Sequence, residues 1–204
     1  LKSIADKIYL PKMAGRNILE QFEGYFGLKD CIIEKYDEND WPKRPEILKE
    51  ITIDKTSLIK QADVVMLMYL LENEFTAEEI RDNYHYYEKR TLHGSSLSPA
   101  IYSIVGLRTG DKGKAYRYLR RAAFIDLLNL QKNTREGIHA ANAGGVWQVI
   151  VFGFAGVKTD DKGELIIEPN MPKDWKNLNF KLWHNNKRLN INIYADNSYN
   201  IEEI

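Results

Sequence analysis

His93-Gly94-Ser95-Ser96-Leu97-Ser98-Pro99 sets two adjacent hydroxyls and a glycine immediately before a helix start. Ser98 as N-cap with Pro99 in the first helical position is a strong start signal. The free amides of a first turn, at the positive end of the helix dipole, favour an anion such as phosphate. Ser95 and Ser96 would donate from their side chains. The same residues also suit a turn that only caps the helix, and this stretch alone leaves both uses open. Lys60-Gln61-Ala62-Asp63 places a cation, an amide and a carboxylate at the head of an apolar run. A lysine enclosed there needs a partner or a ligand, and Asp63 could be that partner in a structural ion pair. Gln21-Phe22-Glu23-Gly24-Tyr25-Phe26 mixes aromatic and polar groups, which suits a sugar site and equally a loop anchored by its rings. His139, in Gly137-Ile138-His139-Ala140-Ala141-Asn142, stands just before a helix as either a ligand or a buried structural residue.

Such groups need a framework, and the chain is long enough for one. Its 204 residues, 44% hydrophobic and 28% charged, suit one sizeable core and a small second unit. Lys+Arg and Asp+Glu are equal at 29 each, so no global field draws the chain to nucleic acid or to an anionic membrane, and neither is expected as a partner. Cys31 is the only cysteine and cannot close an internal disulfide. No basic segment followed by an apolar one opens the sequence, so the cytoplasm is the expected compartment. The longest apolar run, Val64 to Leu71, is too short to span a bilayer.

Leu1 to Tyr9 has helical spacing and stops before Pro11, and Met13 to Glu50 shows no sustained period, so it reads as loop. Thr56 or Ser57 can cap a helix through Leu58 and Ala62 to Leu71, apolar nearly all the way round and therefore buried. Thr76 to Glu79 is a capping box opening an amphipathic helix toward Tyr87. Pro99 to Thr109 reads as another apolar helix closed by Gly110, and Asp111 caps the next, which runs down to Asn129. Ala143 to Phe154 is a helix rich in glycine and aromatics that ends at Gly156. From Gly163 the period becomes that of strands: Leu165 to Ile167, Leu178 to Trp183, the turn Asn185-Asn186, and Leu189 to Tyr194. Helices alternating between all-round apolar and amphipathic imply two layers, the inner enclosed and the outer half exposed.

Four segments, taken together, resemble the disaccharide phosphorylases of glycoside hydrolase family sixty-five. They are Gln21-Phe22-Glu23-Gly24-Tyr25, Lys60-Gln61-Ala62-Asp63-Val64, His93 to Ser98, and Gly137 to Asn142 running on through Gly145-Val146-Trp147. They occur in the family's order over nearly the whole chain. The resemblance implies a mainly α fold: residues 1–157 as the second half of an (α/α)6 barrel and residues 158–204 as a small β-sandwich-like C-terminal domain. It implies phosphate attack on the anomeric carbon of an α-linked glucoside such as maltose, trehalose, kojibiose or nigerose, giving β-glucose 1-phosphate with inversion. Inorganic phosphate is then the co-substrate, no cofactor or metal is expected, and the family is often dimeric. An inverting hydrolase needs a second carboxylate to activate water, whereas phosphate is already an anionic nucleophile and needs only a seat.

The resemblance places Ser95, Ser96 and His139 at the phosphate and Lys60 and Gln61 on hydroxyls of the transferred glucose, with His93 and Gly94 shaping the loop. The family's general acid is a glutamate in a segment upstream of the Gln21 to Tyr25 match. No residue here matches that segment, and neither Glu20 nor Glu23 is assigned to it. The chain is therefore expected to be a C-terminal portion of the enzyme, inactive by itself. Two alternatives stay open: a hydrolase of the same family, for which Glu88 is the carboxylate nearest the serines in sequence, and a non-catalytic carbohydrate-binding fragment.

Overall fold

The computed structural model describes residue 7 and residues 11–13, 15–38 and 41–204; of the helix expected over Leu1–Tyr9, all but Lys7 lies outside the described residues. Among those described, five α-helices precede two small antiparallel sheets. Helix α1 spans Asp63–Leu70, α2 Ala77–Glu88, α3 Ser98–Arg108, α4 Lys112–Phe124 and α5 Ala140–Gln148. A π-helical turn over Val149–Phe154 continues α5. Residues 15–38 and 41–50 are irregular apart from single 3-10 turns at Tyr25–Gly27 and Glu46–Lys49, as the absence of a period predicts.

Two helices start at the caps read from the sequence. Thr76 Oγ1 accepts from the Glu79 amide while Glu79 accepts from the Thr76 amide, and Asp111 accepts from the Lys114 amide at 3.2 Å. Helix α1 differs, beginning only at Asp63 instead of Leu58. Its expected caps are committed elsewhere: Thr56 Oγ1 donates to Ile53 O at 2.8 Å and Ser57 Oγ to Asp30 at 2.9 Å. Ile59 also forms a parallel bridge with Thr91, and backbone groups paired to a neighbouring segment are not available to a helix. Ser98 is not the N-cap of α3; Leu97 holds that position, because the Ser98 hydroxyl is bonded to His93. Helix α4 stops at Phe124 rather than near Asn129 and gives way to turns.

Helix α3 is buried from Ser98 to Leu107, whereas α2 and α4 each bury one face. Small residues let α5 lie close against α3. A Cβ on Gly145 would stand 3.0 Å from Ala100 Cβ, and one on Gly153 would stand 3.0 Å from Leu107 Cδ1. Both pairs advance in the same direction, so α5 with its π-helical turn runs parallel to α3. Helix α4 returns antiparallel, with Ser103 Oγ donating to Ala115 O and the Tyr118 ring against Tyr102. The segments entering α1 and α3 are parallel at the Ile59–Thr91 bridge. The N-termini of α1, α3 and α5 consequently face one end of the helical layer, and α2 and α4 carry the chain back between them.

One hydrophobic cluster joins α1, α2 and α3 around Tyr84, Tyr87 and Tyr102; another fills the space between α3, α4 and α5. Strands β1 (Val157–Thr159) and β2 (Leu165–Ile167) pair antiparallel, as do β3 (Asn177–His184), β4 (Lys187–Tyr194) and β5 (Tyr199–Glu203) in that order. Asn185 and Asn186 both take positive φ, 48° and 61°, as a two-residue hairpin turn requires. Ile191 and Ile193 pack against Val151, Ala155 and Val157, so this sheet shares a core with the π-helical turn.

Candidate functional site

The first wall of the site is the segment that should have been helix. With residues 58–62 outside the helix, Leu92 donates to Ile59 O at 2.8 Å and Gly94 to Lys60 O at 2.9 Å, which fastens the approach to α1 alongside the approach to α3. The Lys60 stem then lies over Gly94, where an added Cβ would meet Lys60 Cγ at 3.1 Å. Asp63 does not pair with Lys60. Its two oxygens accept from Gln61 Nε2 at 2.9 Å and Gln21 Nε2 at 2.6 Å, and Lys60 makes no ion pair among the described residues. Gln61 is thereby oriented through Asp63 to the same carboxylate as Gln21. These groups line a cavity of about 460 Å³ together with Phe22 and Tyr25. Tyr25 is buried and donates to Ser57 O, anchoring the loop, whereas Phe22 is 52% exposed. The aromatic cluster therefore divides between the two uses its composition allowed.

The second wall is the loop before α3. Here Ser95 Oγ accepts only a long contact, 3.4 Å, from the Leu97 amide, and Ser96 has no side-chain partner among the described residues. Both hydroxyls keep a proton to donate. The third serine does not: Ser98 is buried, with Oγ 2.7 Å from His93 Nδ1. His93 is itself buried at φ 50°, and burial, with the charge of Arg121 beyond it, pushes its imidazole down to about 3. The ring is therefore neutral at ordinary pH. Its Nε2 lies 3.2 Å from the Tyr118 hydroxyl, which donates to Glu88 at 3.0 Å. Glu88 is 3% exposed and ion-paired with Lys114 at 2.8 Å.

The third wall is the start of α5. Asp126 accepts from His139 Nδ1 at 2.6 Å and from the His139 amide at 2.8 Å, which fixes the ring plane and leaves Nε2 without a partner among the described residues. The hydrogen bonds from His139 hold the Asp126 carboxyl below its ordinary value. Asn142 donates to Ala122 O at 2.7 Å and ties this start to α4. Counting back along the parallel helices from the Ala100–Gly145 contact brings Ser98, the first residue of α3, level with Ala143 in the first turn of α5, so the loop of Ser95 and Ser96 and the N-cap His139 precede neighbouring helix starts.

Lys60 and Gln61 are thus joined directly to the His93–Gly94 segment, and Ser95, Ser96 and His139 come to the same end of the helical layer. The cavity around Lys60 and Gln61 is not lined by the serines or by His139. Sequence reasoning missed Asp126 and Tyr118. Neither belongs to a motif, and their partners are distant in the chain; only the expected antiparallel return of α4 could have pointed to them. Among the described residues no group of histidine, cysteine and carboxylate side chains is placed to hold a metal ion, and no helix is long and apolar enough to cross a membrane.

Residues 1–148 match the family model described as the glycosyl hydrolase family 65 central catalytic domain. A kojibiose phosphorylase of Thermoanaerobacter brockii is 50% identical over 186 residues, 91% of this chain and 24% of that protein. Another from Caldanaerobacter subterraneus subsp. tengcongensis is 49% identical, over 94% of this chain and 25% of that protein. A solved structure from the human microbiome, provisionally assigned as a kojibiose phosphorylase, superposes with a TM-score of 0.84 at 31% identity, covering 100% of this chain and 27% of that one. The chain spans about a quarter of the length of these relatives.

Proposed function

This chain belongs to glycosyl hydrolase family 65, and we propose that it carries the phosphate seat and part of the glucose site of an inverting disaccharide phosphorylase. In this reading Ser95, Ser96 and His139 Nε2 hold inorganic phosphate, and Lys60 and Gln61 hold hydroxyls of the glucose. A phosphate oxygen attacks the anomeric carbon as the glycosidic C–O bond breaks, and a general acid outside this chain gives its proton to the departing oxygen. The product is β-glucose 1-phosphate, and no cofactor enters. In this reading residues 1–157 belong to the second half of an (α/α)6 barrel and residues 158–204 to the β domain after it.

The observation that supports this most is the state of the polar groups at the common helix end. Two serine hydroxyls and one imidazole nitrogen are unspent, while the two carboxylates linked to His139 and, through Tyr118, to His93 are occupied. Asp126 is bonded twice by His139, and Glu88 is buried between Lys114 and Tyr118. Free donors beside carboxylates already committed to hydrogen bonds suit an anionic nucleophile rather than an activated water, which favours phosphorolysis over hydrolysis. The names of the two relatives described above make kojibiose the first substrate to test, with trehalose and maltose as comparators. In the enzyme completed by the polypeptide that supplies the acid, the Ser95→Ala/Ser96→Ala pair should abolish phosphate-dependent release of glucose 1-phosphate. Unchanged phosphorolysis would remove these serines from the site.

A further inference from the structure

We propose that Glu88, Tyr118 and His93 form a buried one-way hydrogen-bond relay that clamps both ends of the Gly94–Leu97 segment, making Tyr118 a positioning residue for the Ser95 and Ser96 hydroxyls. The proposal rests on the phosphate-seat reading above.

The direction of every bond in the relay follows from what each group can donate. Glu88 is ion-paired with Lys114 and can only accept, so the single Tyr118 proton goes to it, at 3.0 Å. Toward His93 the Tyr118 oxygen then offers a lone pair, and Nε2 must donate across 3.2 Å. A neutral imidazole has one N–H, so Nδ1 is left as an acceptor, and the Ser98 hydroxyl must donate to it across 2.7 Å. Ser98 has no proton left for a ligand, which separates it from Ser95 and Ser96 although the three lie within four residues of one another.

The same imidazole grips the loop twice. Its own backbone sits at φ 50°, a conformation a histidine rarely adopts, just before Gly94; its ring holds Ser98, the first residue of α3. Rings of Trp41, Tyr102 and Tyr118 stand 4.9 to 5.3 Å from it, and the Arg121 guanidinium covers Trp41 at 3.6 Å. Gly94 through Leu97 therefore run between the backbone of His93, beside the Gly94–Lys60 bond, and Ser98, which is held by a His93 ring that cannot turn. Tyr118 sets which nitrogen of that side chain carries the proton, without itself reaching the serines.

Two measurements test this. In the 204-residue chain, ¹⁵N ring shifts of His93 should report the proton on Nε2, and Tyr118→Phe should convert this to a mixture of tautomers; a proton on Nδ1 in the unaltered chain overturns the relay. In the enzyme completed by the acid-bearing polypeptide, Tyr118→Phe should raise the KM for phosphate about tenfold, the cost of one buried hydrogen bond, with the KM for disaccharide little changed. Ser98→Ala should do the same from the other end, and the double variant should be no worse than either, since both break one clamp. If Tyr118→Phe does not fold, Ser98→Ala alone carries the comparison. Equal rises in both KM values, or additive effects of the two substitutions, reduce Tyr118 to a packing residue. If Ser95→Ala/Ser96→Ala leaves the phosphate KM unchanged, it is the phosphate-seat reading that fails. If those serines matter while Tyr118→Phe and Ser98→Ala do not, only the relay fails.

Discussion

At the scale of the residue, His93 ties pH to stability. Its folded value near 3 lies well below the ordinary 6.5, so between these limits the unfolded chain binds a proton that the folded chain does not. Stability therefore rises with pH across the window and is lost as pH falls below 6.5, by at most about 1.4 kcal/mol per unit. Asp126, held low by His139, acts in the same direction, but only as pH falls through the carboxylate range. Urea midpoints between pH 6.5 and about 5 should then show a slope that His93→Gln flattens. A slope unchanged by that substitution would mean that His93 does not titrate as its burial requires. Asp126→Asn should leave the His139 ring free to turn and weaken phosphate binding while changing the midpoint little, since the pair sits at a partly open helix end. An Asp126→Asn enzyme with wild-type phosphate KM would count against a role for His139.

At the scale of the element, two adjacent glycines of α5 should respond in opposite senses. An added Cβ on Gly145 would stand 3.0 Å from Ala100 Cβ, and neither methyl can move without its helix; at Gly144 an added Cβ meets nothing within 4 Å. Gly145→Ala should cost about 1–3 kcal/mol by forcing α5 away from α3, and Gly144→Ala should stabilise by about 0.5–1 kcal/mol through helix propensity. Chemical denaturation of the two variants checks both signs. The contrast also shows what periodicity can and cannot say: the small residues announced a close approach, but only the packed pair identifies which glycine makes it. Helix α1 teaches the same lesson. Its apolar run is plain in the sequence, yet its start lies later than that run predicts because Ile59 and Lys60 are held by the Arg90–Gly94 segment, about thirty residues away.

At the scale of the whole molecule, the helical layer is open on one side. Met66 and Leu70 of α1 are 44% and 62% exposed, and Trp147 of α5 is 47% exposed, although these helices are the apolar ones. Exposed apolar residues on these two helices fit a surface that further polypeptide covers. The chain alone should give no turnover with kojibiose and phosphate, and a mixture with the acid-bearing polypeptide should restore it; glucose 1-phosphate from the chain alone would place an acid within these residues. Gel filtration should show the isolated chain self-associating through this face. A stable monomer that binds glucose would instead favour a carbohydrate-binding module.

The amino-acid sequence by itself determined the order of the five helices, the strands β2, β3 and β4, the caps at Thr76 and Asp111, the Asn185-Asn186 turn and the four segments that carry the family, but not β1 or β5. Each is local, depending on hydrogen bonds or side-chain spacing within a few residues. Tertiary structure decided which of three neighbouring serines is spent on a histidine, which carboxylates are occupied, and that Lys60 lies on Gly94 rather than against Asp63. It also placed Tyr118 and Asp126, on α4 and the turn after it, behind the two imidazoles. Such pairings join residues far apart in the chain, and their energies depend on burial that no short stretch of sequence specifies.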